Sequence, residues 1–200
     1  MGRIRGFGIT VIGVMLFLSA ACSSSEHWHL ADVRHLIPDL DFALQGVDGQ
    51  TVKAADFRGQ TVLLYFGYTH CPDICPITLG KLRTVLLQLG KAGQRVRVLF
   101  VSVDPARDTP AVLKQYLAAF GTQFVGLVGT PEQTAAIAKR YRVGYNKEMS
   151  SGNKKSDDYS VAHSGGVFIF DGRGQAVLLG TQATPIADYV ADLKQLLAAR

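Results

Sequence analysis

This chain has little cysteine: three in 200 residues, at positions 22, 71 and 75. So few thiols leave no disulfide framework, and the hydrophobic core must carry the fold. Charge of one sign is also scarce. The net charge is +5, and two of the basic residues behind it, Arg3 and Arg5, lie in a leader that carries no acid. That excess is too mild for a nucleic-acid binder, and no stretch interleaves aromatic with basic residues as RNA and DNA readers do. No internal repeat appears, and nothing in the composition points to collagen, coiled coil or disorder. Proline numbers seven, with none between Pro131 and Pro185. What is abundant is apolar sequence, 48% of the chain, enough for one well-cored domain with a short tail.

The first 22 residues have the anatomy of an export signal. Arg3 and Arg5 form a basic start, and Phe7 to Leu18 is apolar but short for a spanning helix of about 20 residues. Ser19-Ala20-Ala21 then precedes Cys22, and Ser23-Ser24-Ser25 follows it. That order resembles a bacterial lipoprotein processing site with Cys22 as the lipidated residue; an uncleaved membrane anchor is the alternative. The domain plan is a leader or anchor over 1–22, a tether over 23–35 and a folded domain over 36–200. His27, Trp28 and His29 read as solvated tether.

The folded part alternates strands and helices. Leu40–Leu44 and Thr51–Val52, joined through Val47-Asp48-Gly49, read as a hairpin. Thr61–Phe66 and residues 95–103 are near-continuous apolar runs, which suit strands buried on both faces. Phe124–Val128 is a third strand. Thr109-Pro110, Thr130-Pro131 and Thr184-Pro185 each announce a helix, with threonine as cap and proline in the first turn. Thr130 and Gln133 also fit a capping box. Residues 143–160 read as polar and irregular. Val167–Phe170 and Ala176–Leu179, around Asp171-Gly172-Arg173-Gly174, form a closing hairpin before the last helix, 185–198. This order predicts an α/β domain of the thioredoxin-like kind, with an N-terminal hairpin and one inserted strand–helix unit.

The chemistry gathers at Gly67-Tyr68-Thr69-His70-Cys71-Pro72-Asp73-Ile74-Cys75-Pro76, where the first central strand turns into a helix. Leu79, Leu82, Val85, Leu86 and Leu89 recur at helical spacing after it. The free N–H groups and positive dipole of a helix start favour a thiolate there and lower its pKa. Redox thiols usually come as C-x-x-C, and structural zinc usually takes four ligands, so Cys71 and Cys75 fit neither habit. Two thiolates short of a full set suit Cu(I) with an imidazole as third ligand. A disulfide staple explains the pair equally well. From these residues alone, metal site, redox pair and staple stand level.

Three motifs in order then resemble the Sco/SenC family: Phe66 to Pro76, Asp104-Pro105-Ala106-Arg107-Asp108-Thr109-Pro110, and Tyr159-Ser160-Val161-Ala162-His163-Ser164. Ala162 departs from the aspartate that many relatives carry. The resemblance runs from about residue 36 to 198. It implies a membrane-tethered, thioredoxin-fold copper protein that helps assemble the dinuclear CuA centre of cytochrome c oxidase. It also implies that Cys71, Cys75 and His163 are the copper ligands. Spacing alone does not pair His163 with the cysteines, and a lone histidine at a strand entrance reads as structural. In this fold, however, the loop entering that strand faces the cysteine turn, and exchange enzymes keep a cis-proline there. Here that proline is missing, which tilts the balance from redox to metal.

The implied partners are the copper-bearing oxidase subunit, an upstream periplasmic copper donor and a thiol reductant. The implied place is the bacterial cell membrane with the domain facing the periplasm. The main rival is a thiol–disulfide oxidoreductase that reduces the CuA-site cysteines through Cys71 and Cys75; a copper-dependent redox sensor is a third reading. Among the remaining candidates, His70 should point away from the sulfur and His35 should pack or lie at the surface. Asp104, Arg107 and Asp108 read as a charged loop and helix start supporting the site, and Asp73 as a turn residue.

Overall fold

A computed structural model describes Gly2, residues 27–149 and residues 159–199. The leader and Cys22 lie outside the described residues. Among those described, no helix is long and apolar enough to cross a membrane.

The described residues form ten strands and four α-helices, of which seven strands and the four helices follow the predicted alternation. They are β1 (Ala31–Asp32), β2 (Ala43–Gly46), β3 (Thr51–Lys53), β4 (Thr61–Gly67), α1 (Ile74–Leu89), β5 (Val96–Ser102), α2 (Pro110–Ala118) and β6 (Phe124–Val128). Then come α3 (Pro131–Arg140), β7 (Tyr145–Met149), β8 (Tyr159–His163), β9 (Val167–Phe170), β10 (Ala176–Gly180) and α4 (Ile186–Ala198). Eight strands form one sheet in the order β1-β10-β9-β4-β5-β6-β2-β3. β4, β5 and β6 run parallel, as helical crossovers require, and the flanking strands pair antiparallel. All seven residues of β4 are buried, which is why its sequence is a continuous apolar run rather than an alternating one. The first central strand therefore delivers Gly67, and the cysteine turn after it, from the middle of the sheet.

Two of the three threonine–proline helix starts cap as expected. Thr109 Oγ1 accepts from the Val112 N–H at 3.3 Å. Thr130 Oγ1 accepts from the Gln133 N–H, while Gln133 Oε1 accepts from the Thr130 N–H, closing the capping box. The third differs. Pro185 stands at the cap of α4, and Thr184 Oγ1 is taken by the Thr181 N–H at 2.9 Å, in the turn before it.

Two stretches are more ordered than the sequence implied. Residues 143–160 were expected to be irregular, yet β7 and β8 pair there as a separate two-stranded sheet. Their outward positions carry Asn146, Glu148, Ser160 and Ala162, and on the inward face Lys147 lies 4.6 Å from the Tyr159 ring centroid, so polar composition hid the hairpin. The segment expected as tether joins the fold from His29. The His29 and Leu30 N–H groups donate to the buried Asp192 carboxylate of α4, and β1 then pairs with β10.

Candidate metal centre

Cys71, Cys75 and His163 converge. Each offers one donor atom, and the three atoms lie within 4.8 Å of one another. Among the described residues this is the one group of three or more His, Cys, Asp or Glu side chains with that property.

The cysteines owe their position to β4 and α1. Cys75 is the second residue of α1, fully buried, and Cys71 sits in the preceding turn, 8% exposed. The Cys75 N–H, one of the donors a helix start leaves over, points at Cys71 Sγ at 3.4 Å. Asp73 holds the helix-cap position without a side-chain cap bond. Both thiols are free.

His163 ends β8, 88 residues beyond Cys75. Its Nδ1 lies 3.2 Å from the Ser164 carbonyl, which can only accept, so Nδ1 carries the ring proton. That leaves Nε2 with a lone pair, 3.3 Å from Cys75 Sγ. The ring stands edge-on to Tyr65 and Tyr68, at 6.1 and 6.0 Å between centroids. Tyr65, wholly buried on β4, also donates its hydroxyl to Cys75 Sγ at 3.6 Å.

The electrostatics correct one expectation. The helix end was expected to lower a thiol pKa, but at Cys75 burial wins and pushes the thiol up to about 12, with the nearby Cys71 sulfur adding to it. Burial likewise holds His163 below its usual range, opposed by the Ser164 bond. At neutral pH this pairs a protonated Cys75 thiol with a neutral imidazole, 3.3 Å apart from Sγ to Nε2. Bound metal would take the place of the thiol proton.

Both signs can be read as stability. A raised thiol pKa means that the contribution is complete below the unfolded value of about 8.5 and is lost as pH climbs toward about 12. A lowered imidazole pKa means that stability is lost as pH falls below the ordinary histidine range.

The charged loop between β5 and α2 lies against the site, with its carboxylates drawn inside the fold. Asp104 and Asp108 are both fully buried. Asp108 accepts from the Thr69 N–H, the Thr69 hydroxyl at 2.6 Å and the Ser102 hydroxyl at 2.7 Å. Asp104 accepts from Arg107 Nε and the Tyr159 hydroxyl.

The other candidates stay apart. His70 is exposed and bonds Thr69 Oγ1 through Nδ1 at 3.1 Å. His35 is exposed, in a left-handed backbone conformation with φ of 65°. His27 and His29 are exposed and stack edge-on, 5.8 Å apart. Sequence reasoning missed Tyr65, Tyr68 and Tyr159. Inside or beside apolar strand sequence a tyrosine reads as core, and nothing local marks its hydroxyl as facing a sulfur or a carboxylate.

The comparisons agree with this geometry. The profile of the SCO1/SenC family matches residues 36–198. The Bos taurus protein named "Protein SCO2 homolog, mitochondrial" is 46% identical over 137 residues, covering 67% of this chain and 50% of its own. The chain thus spans about half the length of the curated relatives it matches. The copper-bound structure of Bradyrhizobium japonicum ScoI is 35% identical with a TM-score of 0.71, over 80% of this chain and 99% of that one. Copper-bound yeast Sco1 is 34% identical with a TM-score of 0.68, over 82% and 92%. With the profile covering most of the chain and solved relatives sharing its thioredoxin-like architecture, the chain belongs to the SCO1/SenC family.

Proposed function

We propose that this chain is a copper metallochaperone that serves assembly of the CuA centre of cytochrome c oxidase. Cys71 and Cys75 bind as thiolates and His163 as neutral imidazole. The observation that carries this reading is the convergence of two thiols and one Nε2 lone pair within 4.8 Å, one ligand short of a structural zinc set. Soft sulfur with imidazole selects Cu(I). The relatives solved with copper bound support the same cargo. Three ligands leave room for an incoming thiolate or thioether of the recipient to bind before the host ligands leave. Cys71, the less buried of the two sulfurs, is the one such a ligand reaches.

The basic start, apolar run, small residues and Cys22 support a location at a bacterial cell membrane, lipid-anchored at Cys22 or held by a single N-terminal anchor, with the domain facing the periplasm. Its partners are the copper-bearing oxidase subunit, a periplasmic copper donor and a thiol reductant. In an oxidising compartment the apo dithiol needs that reductant before loading.

The thiol–disulfide reductase reading rests on two free thiols at a helix start. The burial that raises Cys75 disfavours it, because thiolate rather than thiol is the nucleophile. The deciding experiment is iodoacetamide alkylation, counted by mass, on reduced, oxidised and copper-loaded protein. In the reduced sample Cys71 should be modified first and the buried Cys75 more slowly, and neither should be modified in the other two. Rapid double alkylation with copper retained would remove the sulfurs as ligands.

The protonation state predicts a pH dependence. Loading must displace the proton on Cys75, so Cu(I) affinity should rise by about tenfold per pH unit for each proton released near neutrality. Proton release into weakly buffered solution on loading measures it directly. An affinity flat from about pH 6 to 8 would contradict a protonated Cys75.

A further inference from the structure

The hairpin that carries His163 is a sheet of its own, and an isolated two-stranded hairpin is marginal in water. Something must therefore set where it stands. At its base the Ser164 N–H donates to the Gly144 carbonyl at 3.0 Å, and the Gly144 N–H donates to Ser164 Oγ at 3.2 Å. Along β8 the residues facing inward are Tyr159, Val161 and His163, half-buried, buried and half-buried in turn. Tyr159 is thus the inward residue at the far end from His163.

Its hydroxyl donates to Asp104 Oδ1 at 2.7 Å. Arg107 Nε donates to the other oxygen of the same carboxylate. The guanidinium lies 3.6 Å from the Tyr159 ring centroid, and Nη1 donates to the Tyr159 carbonyl at 3.0 Å. These contacts close a ring of three residues around a fully buried carboxylate. Charge-assisted hydrogen bonds in such surroundings are strong and directional. Four residues after Asp104, Asp108 grips Thr69 of the cysteine turn through its N–H and hydroxyl.

We propose that residues 104–108 are a common brace for both halves of the site, and that Tyr159, locked by Asp104 and Arg107, is the positioning residue for His163. The inference rests on the metal-ligand reading given above and adds the residue that holds the imidazole in reach of the sulfurs. Asp108 sets the cysteine turn and Asp104 sets the histidine hairpin. Because both carboxylates belong to one short loop after β5, the distance between thiols and imidazole is fixed by one rigid piece of chain.

The test is a double-mutant cycle on the full chain. Cu(I) affinity is measured by competition with a chromophoric chelator for wild type, Tyr159→Phe, His163→Ala and the double variant. Nitrogen hyperfine coupling in the Cu(II) EPR spectrum is recorded alongside. Tyr159→Phe keeps the ring and removes the hydroxyl bonded to Asp104, and a thermal melt checks that it folds; Arg107→Lys loosens the lock from the other side. Each should weaken binding by about tenfold where His163 is present, and change nothing where it is already alanine. The nitrogen coupling should weaken or vary in Tyr159→Phe. Equal losses in both backgrounds, or unchanged affinity and EPR in Tyr159→Phe and Arg107→Lys, would overturn the positioning role. If His163→Ala itself binds like wild type, the ligand assignment falls instead, a result separate from the first.

Discussion

Replacing Cys71 or Cys75 by serine is expected to cost Cu(I) affinity a hundredfold or more, and His163→Ala somewhat less. The magnitude follows from structural metal sites, where about 10–16 kcal/mol of binding is shared by four ligands, or about 3 kcal/mol each. The two sulfurs should cost most, because Cu(I) is soft and a hydroxyl is a poor replacement for thiolate. Of the two, Cys75→Ser carries a second cost. Cys75 is wholly buried, and Tyr65 Oη and His163 Nε2 both converge on its sulfur. His70→Ala is the control, since His70 is exposed and bonded to Thr69 rather than to the site. Competition titration against a Cu(I) chelator reads all four variants. A Cys75→Ser protein that binds like wild type would end the ligand assignment.

Gly67→Ala should damage both fold and site, although it adds a single methyl. A Cβ at Gly67 would lie 2.8 Å from Phe100 Cε2 and 2.9 Å from Cys75 Sγ. Neither neighbour has room to retreat. Phe100 is buried in β5, and Cys75 is wholly buried at the first turn of α1. The backbone of Gly67 is also pinned: it pairs in register with Ser102, and its carbonyl accepts from the Val103 N–H at 2.9 Å. Overpacking of this kind costs about 1–3 kcal/mol, a fall in Tm of roughly 2–12 °C for a domain of this size. Because the clash falls on the Cys75 sulfur as well as on Phe100, copper affinity should fall with stability. Thermal melts and chelator competition on the same preparation check both. Unchanged affinity would mean that the methyl is absorbed by Phe100 and the sulfur stays in place.

The places where sequence and structure part company share a cause. Thr184-Pro185 has the same letters as Thr109-Pro110 and Thr130-Pro131, but its hydroxyl caps nothing in α4. A turn just before the helix presents the Thr181 N–H closer than the helix does, and the side chain can satisfy only the nearer donor. β7 and β8 were invisible because β7 carries Asn146 and Glu148 on its wet face and Lys147 against the Tyr159 ring, residues that local propensity counts against strand. Asp104 and Asp108 look like surface charge in sequence, since carboxylates seldom go fully inside unless partnered. Their partners, Arg107, Tyr159, Thr69 and Ser102, are found only once the chain is folded.

By itself the sequence determined the order of elements, the buried central strands, two helix caps and the placing of Cys71 and Cys75 at a helix start. These are short-range properties, written in periodicity and in residues within about one helical turn of each other. Its motifs also named the family, and through it His163. Only the tertiary structure decided that His163 Nε2 stands 3.3 Å from Cys75 Sγ, that its other nitrogen is tied to Ser164, and that burial keeps Cys75 protonated. Those facts depend on which strands lie side by side and on how much water is excluded between them. A chain 88 residues long between two ligands carries no local trace of either.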